Sequence, residues 1–290
     1  MAAAKVVAAG KVKAPTVPRH RNHPNLGYCP RENEATPNRR SDGNIRNMGT
    51  MSLLTWNVKS AAVGMATHVS IALPDEGQPR KTLFLLHGLT GTHTDWLLQG
   101  NAYRLASDRN IAIVMPDGQR SFYLDQPHSL HWETWIAKEL PELLEQYTKL
   151  PMSREDLAVA GLSMGGYGAM RLGLRHPDRF HAAISLSGTL DITEKAFQSR
   201  HPDLFETMIG TYDVASSEHD LLRWLRERRE LPRLWACCGE DDRLLDQHHT
   251  FVKTAQECGH ELTHYTAPGE HTWKFWNEHL PHALDWWLEA

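Results

Sequence analysis

Residues 158–170 read "AVAGLSMGGYGAM". A single serine, Ser163, stands directly after a short apolar run. Glycines lie two residues to either side of it, at Gly161 and Gly165, and the run after it, "MGGYGAMRLGL", has helical character. A sharp turn from strand into helix strains its central residue. Side chains two positions away would collide with the neighbouring strand or helix, so glycine is required there. Gly-x-Ser-x-Gly arises by chance in roughly one chain in ten of this length, so the motif needs support from its surroundings.

The surroundings are strands and helices in alternation. Continuous apolar runs occur at "TLFLLHG" (82–88), "IAIVMPDG" (111–118), "LAVAG" (157–161), "AAISLSG" (182–188), "RLWACCG" (233–239) and "ELTHYTA" (261–267). Uninterrupted apolar strands have both faces covered, as in a parallel sheet. Helical stretches fall between them at about 96–108, 132–148, 164–176, 246–258 and 273–289. This alternation predicts a doubly wound α/β sheet. "SLLTWNV" and "HVSIALP", earlier in the chain, partly alternate and predict antiparallel N-terminal strands. The span 189–232 reads as a helical insertion near the site within one catalytic domain, 51–290. Residues 1–50, rich in Pro, Arg and Asn, show no hydrophobic period and are expected to be disordered. Met48 or Met51 is the expected native start.

The bulk composition narrows the function. The 290 residues carry a net charge of −4 and are 41% hydrophobic. That balance supports a sizeable core and gives no electrostatic case for a nucleic-acid partner. No apolar run reaches the ~18–20 residues that span a bilayer, so no membrane association is expected. The four cysteines form no CxxC pair, which fits a reducing, cytoplasmic setting. Eighteen histidines invite a metal reading, but none sits in a recognised ligand spacing. Neither a metal nor a cofactor is expected. The apolar C-terminus "ALDWWLEA" could serve core packing or a homo-oligomer interface.

Ligands of an open parallel sheet bind beyond the carboxyl ends of its strands. Ser163 follows one strand there, Glu240, Asp241 and Asp242 follow another, and His271 follows the last. Serine, acid and histidine in that chain order match the α/β-hydrolase fold. Ser163 is the expected nucleophile and His271 its base. An acid must orient the histidine, and spacing alone leaves Asp241 and Asp242 open. The oxyanion hole is expected from the backbone amides of Met164 and Leu89, with His87 supporting the loop that carries Leu89. Trp96, Phe122, Tyr123 and Trp273 are candidate pocket aromatics, with core packing the competing reading of each.

"LFLLHGLTGTHTDW", "GLSMGGYGAMRLGLRHPDRFHAAISLSG", "CGEDDRLLDQ" and "PGEHTWKFW" resemble the esterase D / tributyrin-esterase branch of the α/β-hydrolases over about 51–290. The resemblance implies a serine carboxylesterase acting on small acyl esters, with S-formylglutathione hydrolase or a related thioesterase as the alternative. It selects Asp242, which matches the branch's Gly-x-x-Asp-x-Leu pattern at Gly239–Leu244. Two departures stand out. Arg243 occupies a position that is usually apolar or aromatic in the branch. His87 and Gly91 flank "GLT" where the formylglutathione enzymes carry serine and cysteine, which favours the general carboxylesterase.

Overall fold

In the computed structural model, residues 52–127 and 130–289 are described. The expected disorder of residues 1–50 lies outside them. The strands are β1 (Ser52–Lys59), β2 (Ala66–Leu73), β3 (Thr82–Leu86), β4 (Ala112–Pro116), β5 (Leu157–Leu162), β6 (Ala182–Leu186), β7 (Arg233–Gly239) and β8 (Leu262–Ala267). They form one sheet in the order β1-β2-β4-β3-β5-β6-β7-β8. β1 pairs antiparallel with β2, and β2 with β4. From β4 to β8 every pairing is parallel. The chain steps from β3 outward to β4, then crosses back to β5 on the other side of β3. That reversal sets the carboxyl ends of β3 and β5 side by side, the place where open α/β sheets bind ligands.

The central strands bury both faces, as their apolar runs require. In β3, Phe84 and Leu86 enter one core with Val159, Trp135 and Tyr167. Leu83 and Leu85 enter the opposite core with Ile184, Leu284 and Trp287. β8 departs from expectation. It closes the sheet as an edge strand and is half-exposed, because only β7 flanks it.

The helices are α1 (Asp95–Leu98), α2 (Ala102–Arg109), α3 (Trp132–Thr134), α4 (Leu140–Tyr147), α5 (Met164–Arg175), α6 (Lys195–Arg200), α7 (Leu221–Glu227), α8 (Leu245–Glu257) and α9 (Trp273–Leu288). Two expected helices are interrupted. The stretch 96–108 breaks between α1 and α2, where a side chain on Gly100 would press within 2.7 Å of the Trp96 carbonyl. The run 132–148 widens into a π-helical turn at Trp135–Glu139 just ahead of Pro141. Proline brings no N–H to the helical ladder and crowds the carbonyl four residues back. The span 189–232 holds α6, a π-helical turn at Leu204–Ile209, and α7. Among the described residues no helix is long and apolar enough to cross a membrane.

A buried ionic node joins α3, α5 and the span before α7. Glu133 accepts from Arg171 Nε at 2.8 Å, and its other oxygen lies 3.1 Å from Arg175 Nε and 2.9 Å from His176 Nε2. Arg171 and Tyr167, one turn apart on α5, donate to the Glu218 and His219 carbonyls. Burial alone would raise the Glu133 pKa. The His176 hydrogen bond and the two guanidinium charges outweigh it and hold the carboxyl at about 2. A carboxyl depressed in the folded state stabilises the fold fully above its ordinary value of 4.5 and loses that contribution as pH falls toward 2. Glu133→Gln should therefore cost about 3–5 kcal/mol at neutral pH, since it leaves the buried Arg171 only the exposed Glu218 carboxylate, 3.6 Å away, as counter-charge. Urea unfolding at pH 7 and across pH 5 to 2 checks this. The variant's deficit should shrink over the acid interval, and a constant deficit would count against the node.

Candidate active site

The turn after β5 puts Ser163 at φ 53°, ψ −116°, a strained conformation for a residue with a side chain. Its backbone is pinned on both sides. The Ser163 N–H donates to Leu186 O at 3.0 Å, and its carbonyl accepts from Tyr167 and Thr189. The flanking glycines are there for space. A Cβ on Gly161 would strike the Gly165 carbonyl. One on Gly165 would lie 2.5 Å from Leu86 O and 2.7 Å from His87 O, the end of β3.

His271 follows β8 on a short loop before α9. Its Nε2 lies 2.9 Å from Ser163 Oγ, 108 residues away. Its Nδ1 lies 2.8 Å and 3.0 Å from the two Asp242 oxygens. Asp242, rather than the exposed Asp241, meets the histidine. Its carboxylate is fully buried, and Oδ1 also accepts the Leu244 N–H at 2.9 Å. Burial pushes the Asp242 pKa up, but the His271 hydrogen bond and charge and the Leu244 amide more than offset this and hold it below the ordinary value. An ionised Asp242 accepts from Nδ1–H, which leaves the Nε2 lone pair facing the serine hydroxyl.

The loop after β3 carries the second oxyanion candidate. His87 is buried, with Nδ1 2.7 Å from Gly88 O, and its Nε2 receives the Gly118 N–H at 2.9 Å. Because Nε2 accepts, Nδ1 carries the proton and donates to Gly88 O. Gly88 O also takes the Gly91 N–H at 3.0 Å. In a trans peptide the carbonyl and the following N–H point in opposite directions. Fixing Gly88 O on those two donors therefore turns the Leu89 N–H the other way. A Cβ on Gly88 would sit 3.8 Å from Ser163 Cβ, so this peptide lies against the serine. Among the described residues neither the Leu89 nor the Met164 N–H has an acceptor. Two free donors beside one hydroxyl suit an oxygen that gains negative charge. His87→Ala should lower kcat about 10- to 100-fold with little change in KM, a fraction of what losing a donor outright costs. Steady-state kinetics on a simple aryl ester checks this, and an unchanged kcat would remove His87 from the loop's support.

The aromatic candidates divide. Trp96, Phe122 and Tyr123 are buried, which favours core packing over their reading as pocket walls. Trp96 donates its Nε1 proton to Leu86 O. Phe122 packs on Tyr167 and Phe197. Tyr123 donates its hydroxyl proton to His87 O at 3.0 Å, so it braces the start of the loop after β3. Only Trp273 is partly exposed, edge-on to Trp96. Sequence reasoning did not single out Trp276, whose ring stands perpendicular to the His271 ring at 5.0 Å. The sole hint was a second tryptophan in "HTWKFW". Among the described residues no group of three His, Cys, Asp or Glu side chains could hold a metal ion.

Residues 60–287 match the family model Esterase, described as "Putative esterase". An acetyl esterase of Caldicellulosiruptor saccharolyticus is 29% identical over 219 residues, 71% of this chain and 82% of that protein. Among solved structures, the fluorophosphonate-binding serine hydrolase F of Staphylococcus aureus superposes with a TM-score of 0.76 at 26% identity. That match covers 83% of this chain and all of the other. An S-formylglutathione hydrolase from Staphylococcus aureus superposes with a TM-score of 0.73 at 27% identity, covering 82% and 99%.

Proposed function

The chain belongs to the Esterase family and is a serine esterase of α/β-hydrolase fold, and from that premise we propose that it cleaves short-chain acyl esters with Ser163, His271 and Asp242. The observation that carries the reading is the unbroken relay from Ser163 Oγ through both His271 nitrogens to Asp242. Ser163 Oγ attacks the ester carbonyl while His271 Nε2 takes its proton. The carbonyl oxygen becomes an oxyanion held by the Leu89 and Met164 amides. Collapse expels the alcohol, which receives the proton from His271, and leaves an acyl-serine. Water then gives its proton to His271 and attacks the acyl carbon, which releases the acid and restores Ser163. The reaction draws on protein groups alone. A cytoplasmic setting, suggested by the free thiols of Cys237, Cys238 and Cys258, is part of the same proposal.

The same groups would open a thioester. We favour oxygen esters because His87 and Gly91 stand where the formylglutathione enzymes carry serine and cysteine. Parallel kcat/KM measurements on 4-nitrophenyl acetate and S-formylglutathione test this. Efficient turnover of the acetate, with an initial burst of one nitrophenolate per active site, is expected. A strong preference for the thioester would overturn the choice.

A further inference from the structure

Arg243 follows Asp242 directly and is exposed, whereas Asp242 is buried. It therefore stands on the surface above the end of β7, over the acid of the relay. Two other elements bring positive charge to the same place. Arg120, on the loop after β4, pairs with Asp203 at 2.6 Å. Phe122, two residues on, packs on Phe197 of α6, and Phe197 carries the His201 ring at 4.5 Å. The end of α6, with Arg200 and His201, is thus docked beside the loop after β4. Burial and the charges of Arg200, Arg243 and Arg120 push His201 down, against the one opposing carboxylate, Asp203. The Gln247 side chain, on the first turn of α8 just after Arg243, accepts the Asp191 N–H and donates to Glu194 at 2.6 Å, just ahead of α6, so the four basic residues come from elements docked on one another.

Asp203 is already committed to Arg120. Among the described residues neither Arg200 nor Arg243 has a carboxylate within ion-pair distance. Glu240 and Asp241 are exposed on the same loop, and among the described residues neither carboxylate forms an ion pair with Arg243 or Arg200. The rim between the insertion and the acid loop thus presents two uncommitted guanidinium groups, whose planar donor forks match a carboxylate.

We propose that this site selects esters that carry a carboxylate, received at the rim by Arg243 and Arg200. The inference rests on the esterase reading and narrows it. Two guanidinium groups without carboxylate partners at the rim would draw an anionic substrate, and a bidentate contact would hold its far end while the ester carbonyl lies at Ser163.

The test uses two ester pairs, each differing by one charge. In the first, 4-acetoxybenzoate is compared with 4-acetoxybenzamide, so the charge lies on the leaving group. In the second, the 4-nitrophenyl monoester of adipic acid is compared with the corresponding adipic monoamide ester, so the charge lies on the acyl group. Each kcat/KM is divided by the hydroxide-catalysed rate of the same ester. The ratio within a pair is then taken for the native protein and for the Arg200→Gln/Arg243→Gln double variant, which cancels any difference in folded enzyme. The native protein should favour the anion by about tenfold in at least one pair, with the preference falling at high salt. In the double variant that ratio should drop to within about twofold. Equal turnover in both pairs by the native protein, or a preference that survives in the double variant, would overturn the proposal and leave the esterase reading standing. Failure to hydrolyse any of the four esters would sink that reading, and this inference with it.

Discussion

Ser163→Ala should lower kcat on 4-nitrophenyl acetate by about a millionfold, the scale reached when a triad nucleophile is removed. In the proposed mechanism the side chain supplies the only atom that forms a bond to the acyl group, so no neighbour can replace it. His271 Nε2 would face a methyl group and could at most activate a water in an unsuited position. The variant should fold. Alanine suffers about the same strain as serine at φ 53°, and the pinning bonds to Leu186, Tyr167 and Thr189 use only backbone atoms. Steady-state assays with an active-site titrant, together with thermal unfolding, check both halves. Residual activity above about one percent in a clean preparation would mean that another residue attacks.

Asp242→Asn should cost about 10⁴ in kcat. The amide is nearly the same shape as the carboxylate, and its oxygen can keep the Leu244 N–H bond. The damage is electronic. With that oxygen held by Leu244, the new NH₂ group faces Nδ1 and donates where the carboxylate accepted. The imidazole then keeps its proton on Nε2 and cannot take one from Ser163. The imidazolium that forms during attack also loses its buried counter-charge. The control is Asp241→Asn, since Asp241 is exposed and its amide bond to Gly269 O is unaffected. That variant should stay within about twofold of the native rate. If it proves damaging and Asp242→Asn mild, the acid has been misassigned.

Much of this site is legible in the sequence. Five apolar strands, β3 to β7, announce themselves because both faces of a central strand must be buried. The groups beyond their ends then share one edge of the sheet by topology. Gly161 and Gly165 were legible for a steric reason, and the contacts they would otherwise make are with backbone. The aromatics were not, because a tryptophan in a core and one on a pocket wall look alike in sequence. Trp96 and Trp273 touch each other, yet only Trp273 reaches solvent. The charged rim was hidden for another reason. Arg243 reads as a local departure from a pattern, and nothing local links it to Arg200 and His201 at the end of α6. The edge position of β8 depended on pairing order, which no local window contains.

The parallel sheet has a consequence for how the protein comes to life. Ser163, His271, Asp242 and Leu89 hang from four different strands, and the outermost two, β7 and β8, are the last made in the chain. Parallel neighbours are joined only through long crossovers, so each pairing closes a large loop before it gains contacts. A chain that has formed β1 to β6 holds a nucleophile with no base. On the proposed assignment catalysis is thus absent from every form that has not yet paired β7 and β8, and the return of ester cleavage after dilution from denaturant is a clock for those last strands rather than for collapse.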